Sequence, residues 1–275
     1  MLSEIKKIKL ANQLELQYAE KGKKEGAALI LLHGFGDSWK TFELLLPHIS
    51  DSIRTIALTL RGHGDSDKPA IGYRTRDFEE DLLLFMNALC IEKAVIAGGS
   101  SGGFTARSFA LHNPQRTLGL ILIGTPAELK NNKAARSGWE SMVSRLNDPV
   151  GPEFLKLFSG TTVSERIPEE FLESMALENL KVPARVWKES NLGFFEEEFP
   201  GELNKITAPA LILWGGKDNV VDRASQVSLY KAIPGSKLIV YEEAGHLIYW
   251  DEPLRVAADI TAFIDAVIKT AKQSS

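Results

Sequence analysis

The run Gly98-Gly99-Ser100-Ser101-Gly102-Gly103 constrains this chain more than any other stretch. It follows the apolar segment Ala94-Val95-Ile96-Ala97 and precedes a helix-like segment ending near His112. A strand that enters a helix through a glycine-flanked serine must turn sharply, and the turn lifts the serine out of the backbone as an exposed nucleophile. Glycine is needed two positions before and two after because strand and helix crowd there and a Cβ would clash. Two frames fit, Gly98-x-Ser100-x-Gly102 and Gly99-x-Ser101-x-Gly103. The first leaves the shorter gap after the strand and favours Ser100. A phosphate-binding loop is the competing reading, but no Gly-Lys-Ser/Thr follows and the G-x-G-x-x-G spacing is absent. A flexible linker would not join a buried strand to an amphipathic helix.

Around this turn the chain alternates strand and helix patterns. Ile5 to Leu10 and Leu14 to Ala19 alternate with period two about Ala11-Asn12-Gln13, which predicts an antiparallel hairpin. Ala27 to Leu32 is apolar throughout, as a parallel strand covered on both faces must be. Further strands are predicted over Arg54 to Leu58, Lys93 to Ala97, Leu118 to Ile123, Ala210 to Trp214 and Lys237 to Tyr241. Helices are predicted over Trp39 to Ile49, Thr75 to Leu89, Phe104 to His112, Arg223 to Ala232 and Pro253 to Thr270, with a disordered tail from Lys272 to Ser275. Strands separated by helices imply right-handed crossovers and one mostly parallel, doubly wound α/β sheet of about eight strands.

Between Pro126 and Lys205 the alternation stops. Short helical patterns broken by Pro149, Gly151-Pro152, Pro168 and Pro183 take its place. The segment lies between two core strands, so residues 126–204 are expected to form a helical cap inserted into a core domain of residues 1–125 and 205–275. It carries Trp139, Phe154, Phe158, Phe171, Trp187, Phe194, Phe195 and Phe199. With Gly99 and Leu247 beside the reactive groups, Trp139, Phe158 and Trp187 are the candidates for a substrate pocket suited to a hydrophobic acyl or aromatic group.

Charge and cysteine content narrow the class. A formal charge of −4 leaves no basic excess to neutralise phosphates, which argues against a nucleic-acid partner. The longest apolar runs are strand-sized, so no membrane span is expected, and the N-terminus lacks an apolar core of signal-peptide length. Cys90 is the only cysteine, which excludes intrachain disulfides and thiolate metal cages. A cytoplasmic protein with no metal and no cofactor is the expectation; the sequence assigns no oligomeric state.

Ligands of such sheets gather at the carboxyl ends of the strands. After Leu29-Ile30-Leu31-Leu32 comes His33-Gly34-Phe35-Gly36-Asp37-Ser38-Trp39, whose glycines let the backbone approach the nucleophile. The Phe35 and Ser101 N–H groups can then hold the negative charge of a carbonyl oxygen under attack. A serine needs a base. Of five histidines, His33 and His63 read as braces of their loops and His48 and His112 as surface residues, whereas His246 follows the last strand in Ala244-Gly245-His246-Leu247. The imidazole needs an acceptor that fixes its tautomer. Asp218 stands after Leu211-Ile212-Leu213-Trp214; Asp222, its rival, fits a helix cap ahead of Arg223.

His33-Gly34-Phe35-Gly36, Arg61-Gly62-His63-Gly64-Asp65-Ser66, the Ser100 turn, Trp214-Gly215-Gly216-Lys217-Asp218 and Gly245-His246 with Glu252-Pro253 occur in an order that resembles the α/β-hydrolase family, specifically its compact, helical-capped serine hydrolases. The resemblance favours Ser100 over Ser101 and implies the chain order Ser100, Asp218, His246. It departs in two places: Gly99 stands where a His or bulky residue is common, which would widen the floor near Ser100, and Asp222 stands where Pro is frequent. Dehalogenases and epoxide hydrolases of this fold use an aspartate nucleophile, and the serine counts against both. The implied activity is acyl-enzyme cleavage of a small-molecule ester, lactone or related carbonyl. Carbon–carbon bond hydrolysis, amide hydrolysis or perhydrolysis by the same triad, and a non-catalytic ligand receptor, are the alternatives.

Overall fold

The computed structural model describes residues 3–160, 167–197 and 202–273; Phe199, named above as a cap aromatic, lies outside them. Eight strands form one sheet: β1 (Glu4–Lys9), β2 (Glu15–Lys21), β3 (Ala28–Leu32), β4 (Arg54–Leu58), β5 (Ala94–Gly99), β6 (Thr117–Ile123), β7 (Ala210–Gly215) and β8 (Lys237–Tyr241). Their spatial order is β1-β2-β4-β3-β5-β6-β7-β8. β1 pairs with β2, and β2 with β4, antiparallel; every later pairing is parallel. β3 and β5, in the middle, are buried at every residue.

Period-two alternation splits the apolar side chains of these strands between two cores. Ile30, Leu32, Ile56, Ile96, Leu120 and Ile212 pack against α1 (Thr75–Ala88) and α2 (Gly102–His112) through Phe78, Leu82, Phe85, Ala106 and Phe109. Leu29, Leu31, Val95, Ala97, Ile121 and Leu213 face the other way, against Val256, Ile260 and Ile264 of the C-terminal helix Pro253–Gln273. Covering both faces of a parallel sheet requires this double set, and it explains why the middle strands read as continuous apolar runs.

Among the described residues, four α-helices lie between β6 and β7: α3 (Lys133–Ser141), α4 (Pro152–Gly160), α5 (Glu169–Leu180) and α6 (Ala184–Glu196). After β7 come α7 (Arg223–Ala232), a one-turn α8 (Ile248–Asp251) that the sequence reading missed, and α9 (Pro253–Gln273). α9 continues through Gln273, so part of the tail expected to be disordered is helical.

The predicted helix Trp39 to Ile49 is instead two 3₁₀ turns, Trp39–Phe42 and Leu46–His48. Ser38 caps the first by accepting from the Lys40 amide at 3.2 Å, and Pro47, with no N–H, cannot continue an α-helical ladder. Phe42, Leu45, Leu46 and Ile49 are buried there, so packing replaces the missing bonds.

Candidate active site

β5 delivers Ser100 directly, since the strand runs on through Gly98 and Gly99. Ser100 has φ +49°, a left-handed conformation that a serine adopts only under constraint from its surroundings. The constraint is visible. The Ser100 amide donates to Ile123 O at 2.8 Å, and Gly103 donates to Ser100 O at 3.0 Å as α2 begins. A Cβ on Gly98 would lie 2.5 Å from Gly102 and Gly103 backbone atoms, and one on Gly102 would lie 2.4 Å from His33 O. Both flanking glycines are therefore demanded by close approach of backbone.

The loop after β8 places His246, which is buried, with Nε2 2.9 Å from Ser100 Oγ. Its Nδ1 lies 2.9 Å from Asp218 Oδ2, on the loop after β7. Asp218 is fixed in turn: its Oδ1 accepts from the Val220 amide at 2.8 Å and the Val221 amide at 2.9 Å. An ionised carboxylate only accepts, so Nδ1 carries the imidazole proton and donates to Asp218, leaving Nε2 free to accept from the serine hydroxyl. Asp222 does something else. It is the N-cap of α7, accepting from the Ser225 amide at 2.7 Å.

The other histidines have different work. Leu60 N–H donates to His33 Nε2 at 3.0 Å, so His33 Nδ1–H donates to Gly34 O at 2.7 Å and braces the loop after β3. Burial holds the His33 imidazole well below its usual range. The His63 ring stands 5.0 Å from that of His33, its Nδ1 bonded to Arg61 O, and burial brings it down to about 4. Both are neutral loop braces. His48 and His112 are exposed.

Phe35 and Ser101 flank Ser100 from the β3 loop and the first turn of α2. Among the described residues neither backbone amide donates a hydrogen bond within the chain. Gly34 permits the approach: a Cβ there would lie 3.2 Å from Ser100 Cβ.

These groups open onto a cavity of about 530 Å³. Ser100, Ser101, Phe35 and His246 line it from the sheet side, and Trp139, Met142, Phe154, Phe158, Met175 and Phe194 line it from the helices between β6 and β7. Of the residues expected at a pocket, Trp139, Phe158 and Leu247 are in its wall and Gly99 and Trp187 are not. The space beside Gly99 is filled by Tyr249, whose hydroxyl would lie 3.0 Å from a Cβ there, so the glycine does not widen the floor. Trp187 is fully buried behind Phe35, with ring centroids 4.6 Å apart, and its indole N–H donates to Val182 O at 3.2 Å. Periodicity in α6 marks an apolar residue without saying whether it faces a cavity or a core.

Asp37 and Asn179, in the wall, were missed. Asp37 lies two residues beyond Phe35 in a motif already singled out, which was the available signal. Asn179 gave none. Among the described residues no cluster of three or more His, Cys, Asp or Glu side chains could hold a metal ion, and no helix is long and apolar enough to cross a membrane.

An eight-stranded, mostly parallel sheet with a serine on the turn after its fifth strand defines an α/β hydrolase. The family model described as alpha/beta hydrolase fold matches residues 27–253, and the chain belongs to that family. It is 26% identical over 271 residues to an uncharacterised protein of Mycobacterium tuberculosis, covering 87% of this chain and 76% of that one. It is 25% identical over 243 residues to the 3-oxoadipate enol-lactonase 2 of Acinetobacter baylyi, covering 88% of this chain and 90% of the enzyme. Among solved structures it is similar to a thermophilic esterase from Thermogutta terrifontis, at a TM-score of 0.85 and 26% identity, with 96% of this chain and 99% of that one covered.

Proposed function

We propose that the chain is a serine hydrolase that cleaves a carboxylic ester or lactone through an acyl-enzyme, with Ser100, His246 and Asp218 as its triad and a cap formed by the helices between β6 and β7. The observation that carries the reading is the unbroken relay Ser100 Oγ, His246 and Asp218, with both contacts at 2.9 Å and the serine end at an apolar cavity. His246 Nε2 takes the hydroxyl proton as Ser100 Oγ attacks the substrate carbonyl carbon. The oxygen of that carbonyl becomes an anion held by the Phe35 and Ser101 amides, each such donor contributing on the order of 3 kcal/mol in the transition state. The imidazolium then gives its proton to the departing alkoxide, and water, deprotonated by the same nitrogen, releases the acid and restores Ser100.

The likenesses to an esterase and an enol-lactonase are consistent with this bond type, while the likeness to a 2-succinyl-6-hydroxy-2,4-cyclohexadiene-1-carboxylate synthase of Bacillus subtilis keeps carbon–carbon bond cleavage by the same triad as the second reading. The test is a fluorophosphonate probe with intact-mass analysis, alongside hydrolysis of p-nitrophenyl butyrate. One adduct mapping to Ser100, absent in Ser100→Ala together with turnover, is expected. Labelling and turnover that survive Ser100→Ala would overturn the assignment, and tight ligand binding without turnover of any ester would make the protein a receptor.

A further inference from the structure

Asp37 is a carboxyl group in the cavity wall that the proposed reaction does not use. It is 8% exposed, and it shares Gly34 with the nucleophile: a Cβ on that glycine would lie 3.2 Å from Ser100 Cβ and 3.8 Å from Asp37 Oδ2. Asn179, from α5, stands against it. The Asn179 Nδ2 donates to Gly36 O at 2.8 Å and to Asp37 Oδ1 at 3.4 Å. Because Gly36 O can only accept, the amide orientation is fixed and both its N–H groups are engaged. Its Oδ1 accepts nothing from the described residues, although Asn179 is 3% exposed and lines the cavity.

Bracing the β3 loop would need only the bond to Gly36, so the remaining acceptor asks for a donor from the cavity. Asp37 supplies the complement. Burial, with a smaller push from the nearby Glu178, raises its carboxyl to about 7 against hydrogen bonds from Thr41 and Asn179, so the group is protonated in mildly acidic solution and partly so at neutral pH, where it can donate as well as accept. One acceptor beside one donor, in a wall whose other polar side chains among the described residues are Asn191, Ser101 and the reactive groups Ser100 and His246, matches a hydroxyl. Among the described residues no lysine or arginine lines the cavity, so a carboxylate substrate would meet no counter-charge from them there.

We propose that Asp37 and Asn179 form a polar subsite that selects substrates carrying an uncharged hydroxyl near the scissile carbonyl, making hydroxylated esters or lactones the favoured class. The proposal rests on the hydrolase reading of the same cavity.

The test compares kcat/KM for matched pairs, methyl 3-hydroxybutyrate against methyl butyrate and 2-hydroxypropyl butyrate against propyl butyrate. At least about tenfold preference for the hydroxylated member of one pair is expected, because a site that hydrogen-bonds a substrate hydroxyl rejects the analogue lacking it. The preference should collapse towards one in Asn179→Leu and in Asp37→Ala, whatever their absolute rates; a ratio unchanged in both folded variants overturns the subsite. A bracing role alone would lower both members of a pair equally. Ratios within about threefold in the unaltered protein also overturn it, even if neither variant folds. The matching amides offered to Ser100→Ala give the same ratio as Kd values without chemistry. Absence of turnover therefore counts against the hydrolase reading, and only equal Kd values then count against the subsite.

Discussion

The two walls of the cavity are built on different principles. On the sheet side each proposed reactive group is held by hydrogen bonds: Asp218 by two amides, His246 by Asp218, and the backbone of Ser100 by Ile123 O. On the helical side the lining is held by contact, as where the Phe154 and Phe158 rings pack on Trp187 with centroids 5.1 and 4.9 Å apart. A directional relay fails when one atom changes, whereas an apolar wall tolerates replacements that conserve volume. On the proposed function, the reactive groups would then be held rigidly by the strand-end loops, while the helices between β6 and β7 supply most of the apolar lining that a substrate meets.

The sharpest way to break that contrast is at Asp218. Asn at this position keeps the side chain's shape and one oxygen for the Val220 and Val221 amides, but turns an N–H₂ towards His246 Nδ1 and favours the wrong tautomer. Asp218→Asn is expected to lower kcat for p-nitrophenyl butyrate by about 10⁴-fold while leaving the Tm within a few degrees. A loss smaller than about tenfold would mean that the imidazole is oriented by something else.

Much of the sheet-side wall was legible in the sequence and little of the helical wall was. Glycine at 98 and 102 and a serine between them are dictated by the geometry of a strand feeding such a turn, whereas the choice of Ser100 over Ser101 and of Asp218 over Asp222, and the order that ends at His246, leaned on the family resemblance. The eight strands followed from periodicity. The β3 loop was misread as one helix because its apolar spacing is helical while Pro47 and tertiary packing decide otherwise. Trp187 and Trp139 have the same composition signal and opposite fates, since which apolar residue meets a cavity depends on how α3, α4 and α6 pack on one another. Asn179 was invisible because a single polar residue in an amphipathic helix has no signature until its partners, Gly36 O and Asp37, are brought from 143 and 142 residues away.

Those two tryptophans sharpen the comparison within the helical side itself. Trp187 is fully buried and packs on Phe35, so Trp187→Ala is expected to cost about 3–5 kcal/mol in urea unfolding. Trp139 is half-buried in the cavity wall, and Trp139→Ala should cost clearly less and shift the preferred acyl length upward in an ester series. Equal stability losses would show that the cavity wall and the packed layer behind it are one structural unit.

The smallest expected effect separates the two acids of the β7–α7 loop. Asp222 is exposed and caps α7 through the Ser225 amide, four residues from an acid whose side chain is fully buried against His246. Asp222→Ala removes the acceptor and leaves an orphan N–H in the first turn, which typically costs about 1 kcal/mol, whereas Asp222→Asn retains the cap and should cost a few tenths at most. Because Asp222 makes no contact with the imidazole, kcat for p-nitrophenyl butyrate should stay within about twofold in both variants. A fall in kcat beyond tenfold in Asp222→Asn, with urea unfolding unchanged, would show that this carboxylate takes part in orienting His246. The contrast between a hydrogen-bonded relay and its supporting scaffold would then have to be redrawn to include the α7 cap.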